Sequence, residues 1–374
     1  MDKRQFIKTL FCGAGIACLY KPLSAISESG IVIPPEVGKK WTREAQFYTV
    51  TPKGIRCLLC PNECNIKEGE LGNCRARLSK NGKLYSISYG NPCAVHIDPI
   101  EKKPLFHFYP GTNAFSIATA GCNLACLYCQ NWSISQKSPR DTQNTDLLPD
   151  RLISYCKQNG CKSIAYTYSE PVTFYEYVYD SATLARQEEI KNVFISSGFI
   201  NSAPLAKLCK VIDSANIDLK SFSDDIYMRL CAGKLQPILN SLTLLKKEGI
   251  WLEITNLVVP SWTDNMDMIK RMCNWLLQNG FETTPLHFSR FIPTYKLSQL
   301  PPTPVNTLKS AREIALKEGL KYVYIGNVPG LEMENTLCPR CHAIIIERQG
   351  FRIVQNYVVG GKCVFCGEKI DGVW

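Results

Sequence analysis

Between Gly121 and Trp132 the chain places Cys122, Cys126 and Cys129 within eight residues, spaced C-x3-C-x2-C. The apolar run 114–119 in front of them reads as a short buried strand, and Ala120-Gly121 lets the backbone turn sharply after it. Thiolates this close on one loop can converge on a single soft metal centre. A closed zinc or iron–sulfur site takes four protein ligands, so three leave one coordination position open, and open positions are where metal chemistry occurs. The plain alternative is three buried cysteines on a packed loop, since a free thiol packs as a small apolar group.

The rest of the composition bears on which alternative holds. Nineteen cysteines in 374 residues, many in C-x2-C pairs, point to metal ligation in a reducing compartment rather than to a disulfide framework. The net charge of +10 is spread over pairs such as Lys39-Lys40, Lys102-Lys103 and Lys246-Lys247, with no long basic run. Solvated faces explain these better than a nucleic-acid surface, and no nucleic-acid partner is expected. Apolar residues make up 45 % of the chain, enough for a sizeable core and two or three domains.

Residues 1–25 have the layout of a leader: Lys3-Arg4 and Lys8, an apolar run over 9–20, then small residues at Ser24-Ala25. The opening resembles a twin-arginine signal with Lys3 in place of the first arginine. The apolar part is too short to span a bilayer, so no transmembrane segment is expected. Export is one outcome and an unprocessed amphipathic leader the other. A cytoplasmic site is favoured for the catalytic part, in keeping with the reducing compartment to which the cysteines point.

Residues 26–50 carry Gly, Pro and Ser punctuation and read as a linker. A Cys-rich module follows over 51–111, where Cys57, Cys60, Cys64 and Cys74 match a closed four-ligand site for zinc or a second cluster. From 112 to 330, short β-branched or aromatic runs alternate with helical stretches. The strands are expected at 115–119, 163–167, 193–196, 216–219, 251–256, 286–289 and 322–326. Helices are expected at 172–184, 205–212, 236–248, 267–279 and 306–318. Such alternation predicts an α/β fold with parallel strands and helical crossovers, its active groups collected at the C-terminal strand ends. In residues 331–374, two C-x2-C knuckles (Cys338, Cys341 and Cys363, Cys366) flank a hairpin-like stretch over 343–359, which fits a zinc ribbon.

The three-cysteine spacing, with the aromatic Tyr128 before its last cysteine, resembles the radical SAM signature. That resemblance implies Cys122, Cys126 and Cys129 as ligands of a [4Fe–4S] cluster, Tyr128 beside the adenine of S-adenosylmethionine, and a partial (β/α) parallel barrel, usually of six strands. Longer stretches, C-L-L-C-P-N-E-C-N-I-K-E-G-E-L-G-N-C, D-P-I-E-K-K-P-L-F-H-F-Y-P-G, Y-T-Y-S-E-P and L-H-F-S-R-F among them, resemble the radical SAM member of the AmmeMemoRadiSam system, related to pyruvate formate-lyase-activating enzymes.

The same resemblance assigns residues at the strand ends. Ser169-Glu170-Pro171 stands where the family has a Gly-Gly-Glu-Pro-like turn that binds the methionine ammonium, with Tyr168 and Ser169 replacing the glycines. A carboxylate suits an ammonium chemically, and a helix N-terminal glutamate is the structural alternative. Ser196-Ser197-Gly198 resembles the Thr-Asn-Gly turn of activating enzymes. Asp218-Leu219-Lys220 resembles their Asp-Leu-Lys, and residues two apart on a strand point to one face. Arg290 would suit the S-adenosylmethionine carboxylate or an anionic substrate. His287 is a candidate only, and His96, Cys93 and His107 receive no role.

The implied activity is one-electron reductive cleavage of S-adenosylmethionine, fed by a low-potential donor such as flavodoxin or ferredoxin. The 5′-deoxyadenosyl radical then abstracts hydrogen from a small-molecule or protein substrate. Two other readings compete with it: a zinc-stapled module binding nucleic acid or protein, and an iron–sulfur electron-transfer protein.

Overall fold

The computed structural model describes residues 36–374. The leader-like segment 1–25 and the first part of the linker stretch lie outside the described residues.

An eight-stranded sheet dominates the chain. Its strands are β1 (Ala94–Pro99), β2 (Asn113–Ala118), β3 (Ser163–Tyr166), β4 (Lys191–Ser196), β5 (Ser214–Asp218), β6 (Trp251–Val258), β7 (Leu286–Arg290) and β8 (Val323–Gly326). They lie in sequential order, β1 pairing antiparallel with β2 and every later neighbour pairing parallel. Sequential parallel strands with helices between them curl into an open barrel, because each right-handed crossover lays its helix on the same outer side.

The crossover helices are α1 (Pro149–Gln158), α2 (Tyr175–Gln187), α3 (Ser202–Leu208), α4 (Asp224–Cys231), α5 (Leu235–Lys247), α6 (Met266–Gln278) and α7 (Val305–Glu318). The parallel strands are largely buried on both faces; every residue of β3, for example, is inaccessible. This explains why β3 and β8 read as short apolar runs rather than alternating ones. The core they share with the helices is one contiguous cluster running from Ala45 to Ile325.

The family expectation of six strands gives way here to seven parallel strands, matching the seven runs read from the sequence, plus the antiparallel edge strand β1. Two small antiparallel sheets precede the barrel. Arg43–Glu44, Arg77–Lys80 and Lys83–Ser86 form one; Tyr48–Thr51, Gly54–Cys57 and Asn65–Ile66 form the other. Pairing therefore begins at Arg43, inside the stretch that reads as a linker. After the barrel, Thr336–Leu337, Ile344–Gln349 and Arg352–Asn356 make a three-stranded sheet, and Val358–Val359 pairs with Lys362–Cys363.

The lower end of the barrel is plugged by chain from both flanks. The Phe106 and His107 amides donate to the Glu253 carboxylate at 3.0 and 2.8 Å, and Glu253 also holds His287 at 2.7 Å. The Arg348 guanidinium reaches the Phe106 carbonyl from the C-terminal module. His287 thus works as a buried partner of the barrel floor. No helix among the described residues is long and apolar enough to cross a membrane.

Candidate active site

The loop from Thr119 to Gln136 leaves the C-terminal end of β2 and carries Cys122, Cys126 and Cys129. Its backbone is fixed by several elements at once. Ala125 and Leu127 donate their amides to the carbonyls of Cys231 and Leu230 at the end of α4, each at 2.9 Å. The Gly121 amide donates to Ile134 at 3.0 Å, and Asn123 Nδ2 donates to the Phe199 carbonyl at 2.7 Å. Asn131 Nδ2 donates to the carbonyl of Tyr168, which sits just after β3 with φ at 62°. The loop is therefore clamped between the ends of β3 and β4 and helix α4. A rigid thiol set of this kind is pre-organised for a metal cluster.

All three thiols are free of disulfides and sheltered. Burial pushes the Cys122 thiol well above its usual range, with Glu170 adding to the effect. Cys126 shares a hydrogen bond with Cys231 and is buried, which lifts it as well; burial lifts Cys129. Thiols held protonated in this way become metal ligands by exchanging the proton for the metal.

Glu170 ends the β3 loop and is buried to 2 % exposure. Its carboxylate accepts from Ser196 Oγ at 2.6 Å, from the Ser197 amide at 2.9 Å, from Ser197 Oγ at 2.7 Å and from the Val172 amide at 3.2 Å. Burial raises its pKa while these serine donors pull it back. Four donors match the acceptor capacity of a carboxylate. Glu170 is thus tied to the β4 turn, and both turns close on the cysteine loop. Ser169 donates to the Thr119 carbonyl at 2.7 Å, at the loop's start.

Gly198 has φ at +68°, and a Cβ there would come 3.0 Å from Ile217 Cγ2. The glycine is required both by the backbone conformation and by the close approach of β5.

At the end of β5, Asp218 and Lys220 form an ion pair at 2.8 Å. Lys220 lies 5.9 Å from the centre of the Tyr128 ring. Burial works to discharge Lys220, but Asp218, Cys126 and Cys231 outweigh it and hold the ammonium firmly protonated. The Tyr128 hydroxyl lies 3.5 Å from Cys231 Sγ. The cysteine loop and the Asp218–Lys220 pair are therefore neighbours, as the shared strand-end geometry expects. Arg290 stands at the end of β7, where its Nε donates to the Thr303 carbonyl at 2.8 Å.

The other two cysteine groups form separate clusters. Cys57, Cys60, Cys64 and Cys74 line a single cavity. In the C-terminal module, the sulfurs of Cys338, Cys341, Cys363 and Cys366 all lie within 4.8 Å of one another.

Comparison with known proteins fits this arrangement. The model of the radical SAM superfamily matches residues 116–276, the stretch from β2 to α6. An uncharacterized protein of Methanocaldococcus jannaschii, MJ0808, is 48% identical over 332 residues, covering 88% of this chain and 99% of its own. The chain belongs to the radical SAM superfamily. The pyruvate formate-lyase 1-activating enzyme of Escherichia coli is a more distant relative, 24% identical over 227 residues, covering 54% of this chain and 89% of its own. Among solved structures, a radical SAM methyltransferase from Sphaerobacter thermophilus covers 60% of this chain and 70% of its own, with a TM-score of 0.47 and 12% identity.

Membership of the radical SAM superfamily implies a [4Fe–4S] cluster and S-adenosylmethionine. Three clamped soft thiols on one loop fit the cluster, and the C-terminal four-cysteine group could bind a metal. Sequence reasoning missed Cys231, which lies against Cys126 and Tyr128; a lone cysteine on a helix gives no local signal. It also missed the parallel stack of Trp132 on Tyr295, 5.3 Å between centres, which joins the cysteine loop to the segment after β7.

Proposed function

We propose that this radical SAM enzyme binds its cluster through Cys122, Cys126 and Cys129 and acts by hydrogen abstraction, in the manner of an activating enzyme. When bound, the cluster supplies one electron for reductive cleavage of S-adenosylmethionine to methionine and a 5′-deoxyadenosyl radical. The observation that carries this reading is the three-thiol loop clamped against the ends of β3, β4 and α4.

The chain's own residues have distinct tasks. Lys220 keeps a positive charge beside the thiolates, which favours their metal-bound, deprotonated form. Glu170 holds the β3 and β4 turns together through Ser196 and Ser197, and an S-adenosylmethionine ammonium reaching its carboxylate would replace one of those donors. Ser169 and Gly198 shape the two turns. Arg290 offers a guanidinium for a carboxylate, its Nε already oriented by Thr303. Tyr128, on the loop itself and held beside Lys220 and Cys231, would lie beside the adenine of S-adenosylmethionine.

The Asp218-Leu219-Lys220 element and the 24% identity to a pyruvate formate-lyase 1-activating enzyme support activating-enzyme ancestry. The long stretches around Cys57–Cys74, Asp98–Gly111 and Leu286–Phe291 support placement with the AmmeMemoRadiSam enzymes. A flavodoxin- or ferredoxin-type donor supplies the electron. The substrate is a peptide or small molecule bearing an abstractable hydrogen.

The test is Cys126→Ala, purified and reconstituted without oxygen. Loss of both the charge-transfer absorbance and 5′-deoxyadenosine formation is expected; full cleavage activity overturns the assignment. Deuterium transfer from labelled candidates into 5′-deoxyadenosine then identifies the substrate class.

A further inference from the structure

The two four-cysteine groups are built to different sizes. In the C-terminal module, Cys338 and Cys366 sulfurs are 3.6 Å apart and Cys341 and Cys363 sulfurs 3.8 Å apart. A tetrahedral zinc with bonds of about 2.3 Å spaces its thiolates by about 3.8 Å, so this group is zinc-sized. Among the described residues, it is also the one group of three or more cysteine, histidine or carboxylate ligands drawn within 4.8 Å. Cys57, Cys60, Cys64 and Cys74 line one cavity but stand wider apart than that. Four thiols that line one cavity yet stand too far apart to close on one ion match a polynuclear centre.

A second observation points the same way. Arg77 lines this cavity and is only 1 % exposed. Its Nη2 is held by both Glu176 oxygens at 2.8 and 2.9 Å, and Nη1 donates to the Gln46 carbonyl. Its Nε, by contrast, is buried without a hydrogen-bond partner. An orphaned buried donor is costly, so native structures rarely leave one. Sulfur at the cavity centre is an acceptor that would satisfy it.

We propose that Cys57, Cys60, Cys64 and Cys74 ligate a second [4Fe–4S] cluster, saturated by four protein thiolates and hydrogen-bonded by Arg77. Its position is next to the three-cysteine loop: Asn123 of that loop lines the same cavity, and Asn62 Nδ2 donates to the Asn123 carbonyl at 2.8 Å. With no iron left open, this cluster binds no S-adenosylmethionine. Its ligand set and its existence do not depend on the function proposed above; only the meaning of its closeness to the first cluster does.

The test uses the full chain with Cys122, Cys126 and Cys129 all replaced by Ala, reconstituted anaerobically with iron and sulfide. About four irons and four sulfides per chain are expected, with about one zinc. Adding Cys57→Ser, Cys60→Ser, Cys64→Ser and Cys74→Ser should remove the iron and leave the zinc, and the retained zinc reports that the chain still folds. About two zincs and no iron in the triple variant overturns the proposal, as does zinc at the C-terminal module alone. Should the triple variant not fold, wild-type iron decides: about eight per chain supports the second cluster and about four overturns it. Failure of S-adenosylmethionine cleavage in the wild type would sink the proposed function yet leave these metal counts unchanged.

Discussion

The Asn62 side chain donates to the backbone carbonyl of Asn123 at 2.8 Å, joining the turn that carries Cys60 and Cys64 to the loop that carries Cys122 and Cys126. The contact is reinforced a few residues away. Gly121 sits so close to the Cys74 backbone that a Cβ there would meet the Cys74 carbonyl oxygen at 2.5 Å. The two cysteine segments therefore pack as one unit, backbone against backbone.

Gly121→Ala is expected to damage both segments. The backbone adopts φ of +109° there, which L side chains avoid, and the obstructing atom belongs to a carbonyl that cannot rotate away. A loss of at least about 2 kcal/mol and a drop in iron retained per chain should appear in denaturant melts and metal analysis. Wild-type stability and iron content in this variant would show that the segments are not coupled.

Glu170→Gln should weaken the enzyme more than its similar size implies. The carboxylate accepts four donors, whereas an amide offers one oxygen and turns a donor toward the Ser197 amide. About 2 kcal/mol of stability and most S-adenosylmethionine cleavage should be lost. Retained cleavage with lowered melting temperature would assign Glu170 to turn positioning alone.

His107 predicts a specific acid sensitivity. Its Nδ1 faces the Asp371 carbonyl at 2.6 Å, which can only accept, so Nδ1 carries the proton and Nε2 accepts from the Tyr324 hydroxyl at 2.6 Å. Burial pushes its pKa down to about 4. Above pH 6.5 both folded and unfolded forms are neutral and the contribution is intact. As pH falls from 6.5 toward 4, only the unfolded chain takes up the proton, and up to about 3 kcal/mol is lost. Comparing wild type with His107→Gln by denaturant unfolding at pH 7 and pH 5 isolates this effect. The variant should start less stable and lose less on acidification; equal losses contradict the argument.

Stripping metal from the C-terminal four-cysteine group with a strong chelator should release the last described residues. Trp374 Nε1 donates to the Ile370 carbonyl at 3.1 Å, and the ring abuts Gly361 in the turn leading to Cys363. Its fluorescence should shift to the red on chelation, and Trp374→Phe should abolish that part of the change. An unshifted spectrum after metal loss, measured by metal content, would mean the tail docks independently of the metal.

The parallel strands were legible where buried faces give short apolar runs, as in Ser163–Tyr166 and Val323–Gly326. The edge strand Ala94–Pro99 was not, since His96, Asp98 and Pro99 hide its periodicity. Helix Asp224–Cys231 was overlooked in part because Ala232, not glycine, takes the left-handed position at its end. In the site, the three thiols announced themselves by spacing. The bonds between Glu170 and Ser197 span 27 residues of sequence, and nothing local encodes them. The two four-cysteine groups look alike on paper; their difference in size exists only once the chain is folded.

The floor of the barrel carries a consequence for how the protein is made. His107 waits for the Asp371 carbonyl 264 residues later, and Tyr109 pairs with Val373 beside it. At about 5–20 residues per second, a ribosome needs roughly 13–50 s to bridge that interval. Through most of it, Cys122, Cys126 and Cys129 are already made while the barrel has no bottom. The cysteine loop at the opposite end is therefore complete long before the floor can be closed.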